Sequence, residues 1–245
     1  MDIYAFPPLA FLLSTAYQGM LALSELLTPL AGTTAAAAAV ILITLVVRAL
    51  LIPVGVSQAK AEQTRARLSP KLRELQKRFQ KNPERLQRET MELYKRENTS
   101  PFAGCLPVLL QAPVVGLIYS LFLRTQISGH SNALLSHDLF GAPLGQSLLA
   151  SMGSLTAPTI VVWTVLLVII IAVAEISRRV FRPTAPAEGP LASSGMQRAM
   201  GALHYLTAIF ALFVPLAAAL YLTVTVTWTL VQRIVLRRRY PLPSA

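Results

Sequence analysis

The chain has 245 residues, 54% of them apolar and only 13% charged, with a mean hydropathy of +0.55. A soluble domain carries about a quarter charged residues, so this composition, laid out in long apolar blocks, excludes a soluble globular fold and reads as an integral membrane protein. The net charge of +11 is concentrated in blocks, a lone cysteine (Cys105) excludes an internal disulfide, and three dispersed histidines (His130, His137, His204) are too few for a metal site.

Residues 1–34 carry no Lys or Arg and so lack the basic region of a secretory signal. The apolar stretch 5–31 is read as an interfacial helix on the outer face, with Gln18 and Glu25 towards water; a crossing of the membrane is the alternative. A first span is expected over 35–55, AAAAAVILITLVVRALLIPVG, with one arginine, Arg48, in a wholly apolar setting. An ionised guanidinium at that depth costs roughly 2.5–3.5 kcal/mol on insertion scales, so it must face a partner or a wet cavity. Thr44 lies one turn back on the same helix face.

Residues 56–100 hold twelve of the 22 basic residues and six acidic ones. Ser69-Pro70 and Asn82-Pro83 each read as an N-cap followed by proline at the first helical position. Apolar residues recur at helical spacing (Leu72, Leu75, Phe79, then Leu86, Leu93, Tyr94), which predicts two amphipathic helices paired as an antiparallel hairpin. The surplus of positive charge suits anionic lipid, but no motif for reading a nucleic-acid sequence is present.

Four further spans are expected over 101–123, 157–177, 199–214 and 216–236, the last two joined tightly at Val214-Pro215. They are separated by an outer loop 124–156 and a basic loop 178–198, and followed by a tail 237–245 with Arg237-Arg238-Arg239. Positive charge on the cytoplasmic side then puts the N-terminus outside, the C-terminus inside and 20 of the 22 basic residues in the cytoplasm. Glu175, near the cytoplasmic end of the third span, is placed to pair with Arg179 four residues on. Other polar groups at membrane depth are Gln111 and Ser120 in the second span, Thr164 in the third, and Thr223, Thr225, Thr227, Thr229 and Gln232 in the last. Gln111 can line a cavity or satisfy carbonyls freed by Pro107 and Pro113; Trp163 and Trp228 can be interface anchors or cavity walls. No deep carboxylate is available to Arg48, which disfavours a purely structural arginine, although snorkelling or bonding to backbone carbonyls stays open.

Residues 82–123 carry Leu93-Tyr94-Lys95, Pro101, Gly104-Cys105-Leu106-Pro107, Leu109-Leu110-Gln111, Pro113 and Tyr119. This order resembles the YidC/Oxa1/Alb3 family of membrane protein insertases. The first span, with Arg48 before Pro53, and the closing pair of spans, with Val214-Pro215, Leu220-Tyr221, Val231-Gln232 and Val235-Leu236, are similar to the family's as well. The turn departs from the family in reading Ser100-Pro101, and the last span is threonine-rich. The large extracytoplasmic domain of Gram-negative members has no counterpart here.

The resemblance implies an all-α polytopic fold of five transmembrane helices with a cytoplasmic helical hairpin and an outer interfacial helix. It implies a hydrophilic intramembrane groove containing Arg48, lined by Thr44, Gln111, Ser120, Thr164, Thr225, Trp228 and Gln232. It further implies nascent membrane proteins as substrates, the ribosome and the Sec translocon as candidate partners, a bacterial plasma-membrane location, no enzymatic step and no cofactor. Neither GxxxxGK[ST] nor GxGxxG occurs in the chain. Two other classes stay open: a small anion channel or carrier that uses the same arginine, and a membrane-tethered binding protein acting through its basic hairpin.

Overall fold

The structure is a computed structural model that describes residues 7–97, 116–117, 120–127, 129–181 and 205–241. Gln111, the motif residues Gly104, Cys105, Leu106, Pro107, Pro113 and Tyr119, His204 and most of the 178–198 loop lie outside them. The described chain is mostly helical and divides into two compact units: Met1–Ala49 with Val114–Leu230, and Leu50–Pro113 with Val231–Ala245.

The first unit begins with α1 (Pro7–Ala31), whose buried Leu13, Met20 and Ser24 share one face with the half-buried Tyr17. Gly32, at φ +55°, breaks the helix and leads through a single 3₁₀ turn into α2 (Ala35–Leu50). In α2 the small residues Ala35, Ala36, Ala37 and Ala39 are buried with Val40 and Thr44, which lets neighbouring backbones approach closely. Leu42, Leu45 and Val46 remain exposed. The helix stops at Leu50, short of the expected 55, because Leu51 leaves helical geometry just before Pro53, whose missing N–H suits the start of a new helix.

The loop over residues 124–156 departs from the all-α expectation. Strands β1 (Gln126–Ile127) and β2 (His130–Ser131) pair antiparallel, as do β3 (Asp138–Leu139) and β4 (Ala142–Pro143). At two residues each they are too short to show an alternating pattern in sequence. Asn132, 5% exposed, organises the loop. Its Nδ2 donates to the Leu121 and Arg124 carbonyls at 2.6 and 2.9 Å, and its Oδ1 accepts from the Leu134 N–H at 3.2 Å. The Ala133 N–H donates to the Tyr17 hydroxyl at 2.9 Å, which ties α1 to this loop.

Helix α5 (Ala157–Val180) starts from a Thr156 cap with Pro158 in its first turn. It buries Trp163, Leu166 and Ile170 in a core shared with Leu216–Tyr221 at the start of α7 (Leu216–Arg239). Between them α6 (Leu206–Ala211) is the helix within the described residues, 205–214, of the expected fourth span, and Pro215 pairs with Ser147. Among the described residues three helical stretches are long and apolar enough to cross a membrane: Pro7–Leu50, Ala157–Val180 and Leu216–Arg239.

In the second unit α3 (Ile52–Arg78) runs without interruption through Ser69-Pro70, where a helix start was expected. Proline cannot donate to the Ala66 carbonyl four residues back, and the Ser69 hydroxyl does so instead at 2.9 Å, closing the gap that would have ended the helix. Asn82 does cap α4 (Pro83–Arg96), its side chain accepting from the Arg85 N–H at 3.0 Å. The two helices run antiparallel, and Glu97 joins them by accepting from Lys71 (2.6 Å) and Arg67 (3.1 Å). The Lys71 hydrogen bond holds the Glu97 carboxyl below its ordinary pKa.

The base of α3 packs on residues 231–241. A Cβ added at Gly55 would lie 2.8 Å from Gln232 Cδ, so a larger residue there would displace the glutamine amide. Glu62 accepts from Arg233 at 2.7 Å and Arg237 at 2.9 Å, Gln63 donates to the Pro241 carbonyl, and Lys60 stands over the Tyr240 ring. Burial pushes the Glu62 carboxyl up, but the hydrogen bonds from Arg233 and Arg237 outweigh it and hold the group below its ordinary value. A carboxyl depressed on folding stabilises the fold above its unfolded pKa and loses that contribution as pH falls through the folded value. Glu62→Gln is therefore expected to cost roughly 0.5–1 kcal/mol at neutral pH, both pairs being partly solvated. Thermal melts in detergent from neutral pH down to acid should show the wild-type and mutant curves converging; a gap that stays constant would rule out the ion pairs as its cause.

Candidate functional site

Arg48 sits half-buried on the last turn of a largely apolar helix. Its neighbour is Tyr221 of α7, 3% exposed, whose phenol acts on the guanidinium electrostatically. Among the described residues the ion pairs bring together other cations and carboxylates, and none includes Arg48. A phenol can accept from a guanidinium but does not neutralise it, so the five-donor cation keeps its formal charge.

The expected groove residues fall into distinct situations. Thr44 is buried, and its hydroxyl donates to the Val40 carbonyl at 2.6 Å, within its own helix. Ser120 does the same with the Gly116 carbonyl at 2.7 Å. Thr164 is exposed on the side of α5 away from its buried neighbour Trp163, which belongs to the core.

On α7, Tyr221, Thr225 and Trp228 follow one another at helical spacing on one face. Thr223, Thr227 and Thr229 donate to carbonyls four residues back, whereas the buried Thr225 Oγ1 has no hydrogen-bond partner among the described residues. Gln232 continues the stripe but belongs to the second unit, where it packs on Gly55. The structure thus brings Arg48 together with Tyr221, a residue that the reading of polar side chains passed over. The available signal was its place one turn before Thr225 on the stripe that ends at Gln232.

Further along the unit, Glu175 accepts from Arg178 at 2.8 and 2.9 Å, from Arg179, and from the Tyr205 hydroxyl. The expected pairing with Arg179 is present, and Tyr205 adds a link from α5 to the start of α6. No group of three metal-ligating side chains occurs among the described residues. A cation in an apolar helix, with a phenol as neighbour and no carboxylate paired to it among the described residues, offers attraction to an anionic group.

Comparison with known proteins bears on what that attraction serves. The family model described as 60Kd inner membrane protein matches residues 27–243. A membrane protein insertase YidC from Clostridium perfringens is 39% identical over 93 residues, covering 38% of this chain and 39% of the relative. The insertase YidC of Oceanobacillus iheyensis is 42% identical over 98 residues, again 38% of this chain and 39% of the relative. That of Helicobacter pylori is 37% identical over 102 residues, 41% of this chain and 19% of the relative. The matched stretch spans about two fifths or less of these relatives. With the family model running from residue 27 to residue 243, this chain is a member of the 60Kd inner membrane protein family, the YidC/Oxa1/Alb3 group that its motifs resemble.

Proposed function

We propose that this protein inserts other membrane proteins into the bilayer and helps them fold, using Arg48 to attract acidic groups on a short hydrophilic segment of the passing chain. The observation that carries the reading is that no ion pair among the described residues includes Arg48, because a neutralised arginine would have little left to offer a substrate. A polypeptide segment entering the bilayer must shed its water. A fixed cation in a polar recess lowers the cost for carboxylates, and partition of the substrate's apolar helix into lipid drives the rest of the segment across. Each step is physical, with no bond made or broken.

The proposal includes five spans, the N-terminus outside, the C-terminus in the cytoplasm, and the paired helices α3 and α4 as a cytoplasmic hairpin. Nascent membrane proteins are the substrates, and the hairpin's basic surface is where anionic lipid, the ribosome or the Sec translocon would be met. The location is the bacterial plasma membrane. Tyr221, Thr225 and Trp228 join Arg48 as groove residues.

Purified protein in sealed liposomes, free of other translocation factors, tests this. A single-span substrate with a short acidic tail should have that tail protected from added protease, and empty liposomes should leave it cleaved. Cleavage equal to that with empty liposomes, while an established insertase protects the tail in parallel, would overturn the proposal. Saturable anion flux through the same vesicles would then favour a carrier.

A further inference from the structure

The turn between β3 and β4 consists of Phe140 and Gly141, with φ of +51° and +83°. Two consecutive residues at positive φ are the pattern of a tight hairpin turn in which asparagine or glycine normally takes the first place, since a bulky side chain is strained there. Here that place holds a phenylalanine, 72% exposed. The hairpin is not free to fold the ring back. Ala142 and Leu144 are buried, Leu139 packs on the core, and a Cβ added at Gly145 would lie 2.7 Å from the Leu135 carbonyl oxygen.

The tip has a fixed place along the molecule. A Cβ on Gly141 would lie 3.5 Å from Cβ of Pro158, so the turn rests on the first turn of α5. From that level downwards Val161, Val165 and Val168 form an exposed apolar stripe on the helix. Where α5 crosses a membrane, this stripe faces acyl chains and its N-terminal end lies at the headgroup boundary. Aromatic rings favour that depth, while the neighbouring exposed His137 and Asp138 suit the water side. We propose that Phe140 is an interfacial anchor, its ring inserted into the lipid headgroup–acyl boundary at the N-terminal end of α5. The inference rests on α5 being a span and not on the insertase reading.

Photocrosslinking in vesicles of phosphatidylethanolamine and phosphatidylglycerol tests it, with p-benzoylphenylalanine placed at position 140, at Val165 and at the exposed loop residue Ser136. Position 140 should form phospholipid adducts as Val165 does, on the order of tenfold above Ser136, the ratio for partial transfer of an aromatic ring out of water. Adducts at Val165 with none at 140 would overturn the anchor alone, and adducts at neither would overturn the span with it. A protein adduct at 140 in membranes of the producing cells, in place of the lipid one, would assign the ring to a polypeptide partner and overturn the anchor as well. Phe140→Asn suits the turn and should melt in detergent no lower than wild type; a lower melting temperature would mean that the ring packs within the protein, against the proposal.

Discussion

Replacing Arg48 with alanine is expected to reduce insertion of a substrate with an acidic translocated tail about tenfold, and of one with a neutral tail about twofold or less. A charge pair about 4 Å apart is worth about 4 kcal/mol at an effective dielectric constant of 20. If roughly a third survives desolvation of the entering carboxylate, the remaining 1.4 kcal/mol or so corresponds to about one factor of ten. Arg48→Lys keeps the charge and should retain most of the selectivity for acidic tails. Arg48→Glu should reverse that selectivity, favouring basic tails. The measurement is the protected fraction of matched acidic and neutral substrates in the same liposomes. Equal losses on both would return Arg48 to a structural role beside Tyr221 and remove electrostatic attraction from the mechanism.

Asn132→Ala is expected to lower stability by roughly 2–4 kcal/mol, the largest effect of any single loop substitution considered. The side chain bonds the carbonyls of Leu121 and Arg124, at the end of the helical turn at 120–123. Alanine would take the amide away from the buried Leu121 carbonyl and the buried Leu134 N–H, at about 1–3 kcal/mol for a group left without any partner. Asn132→Asp keeps the acceptor for Leu134 but turns a carboxylate oxygen on two carbonyls, so it should be worse than alanine. Thermal unfolding in detergent ranks the three, with a drop on the order of 5–10 °C for Asn132→Ala. Equal melting of wild type and alanine variant would mean that water replaces the amide, and that the loop is held by its apolar contacts alone.

Sequence legibility varied with the physics of each element. The Asn82-Pro83 start of α4 was readable because an N-cap and a proline at the first helical position act locally. Ser69-Pro70 carries the same signal with the opposite outcome. A serine before a proline can cap a new helix or repair the old one by bonding the abandoned carbonyl, and only the packing of the surrounding helix decides between them. The β-hairpins of the loop over residues 124–156 were hidden because two-residue strands carry no periodicity and depend on Asn132 and buried Leu144 for their shape.

For the candidate site, Arg48 stood out because charge in an apolar run is costly. Polar residue type then proved a weaker guide than helix geometry. Thr44 and Ser120 direct their hydroxyls to their own backbones, while Tyr221, amphipathic and easily taken for packing, meets the guanidinium.

The unbroken helix α3 has a mechanical consequence. It is gripped near its base by Gln232, Arg233 and Arg237, over residues 55–62, and continues free of that grip to Arg78. At 1.5 Å per residue the arm beyond residue 62, which Glu97 braces at Arg67 and Lys71, is about 24 Å long. Such an element behaves as a cantilever: a rotation of about 10° at the grip would sweep its tip through about 4 Å. Had α3 been split at Pro70, much of that sweep would be taken up in the hinge. Ser69, by restoring one hydrogen bond, keeps the arm stiff enough for a load at the tip to be felt at Glu62.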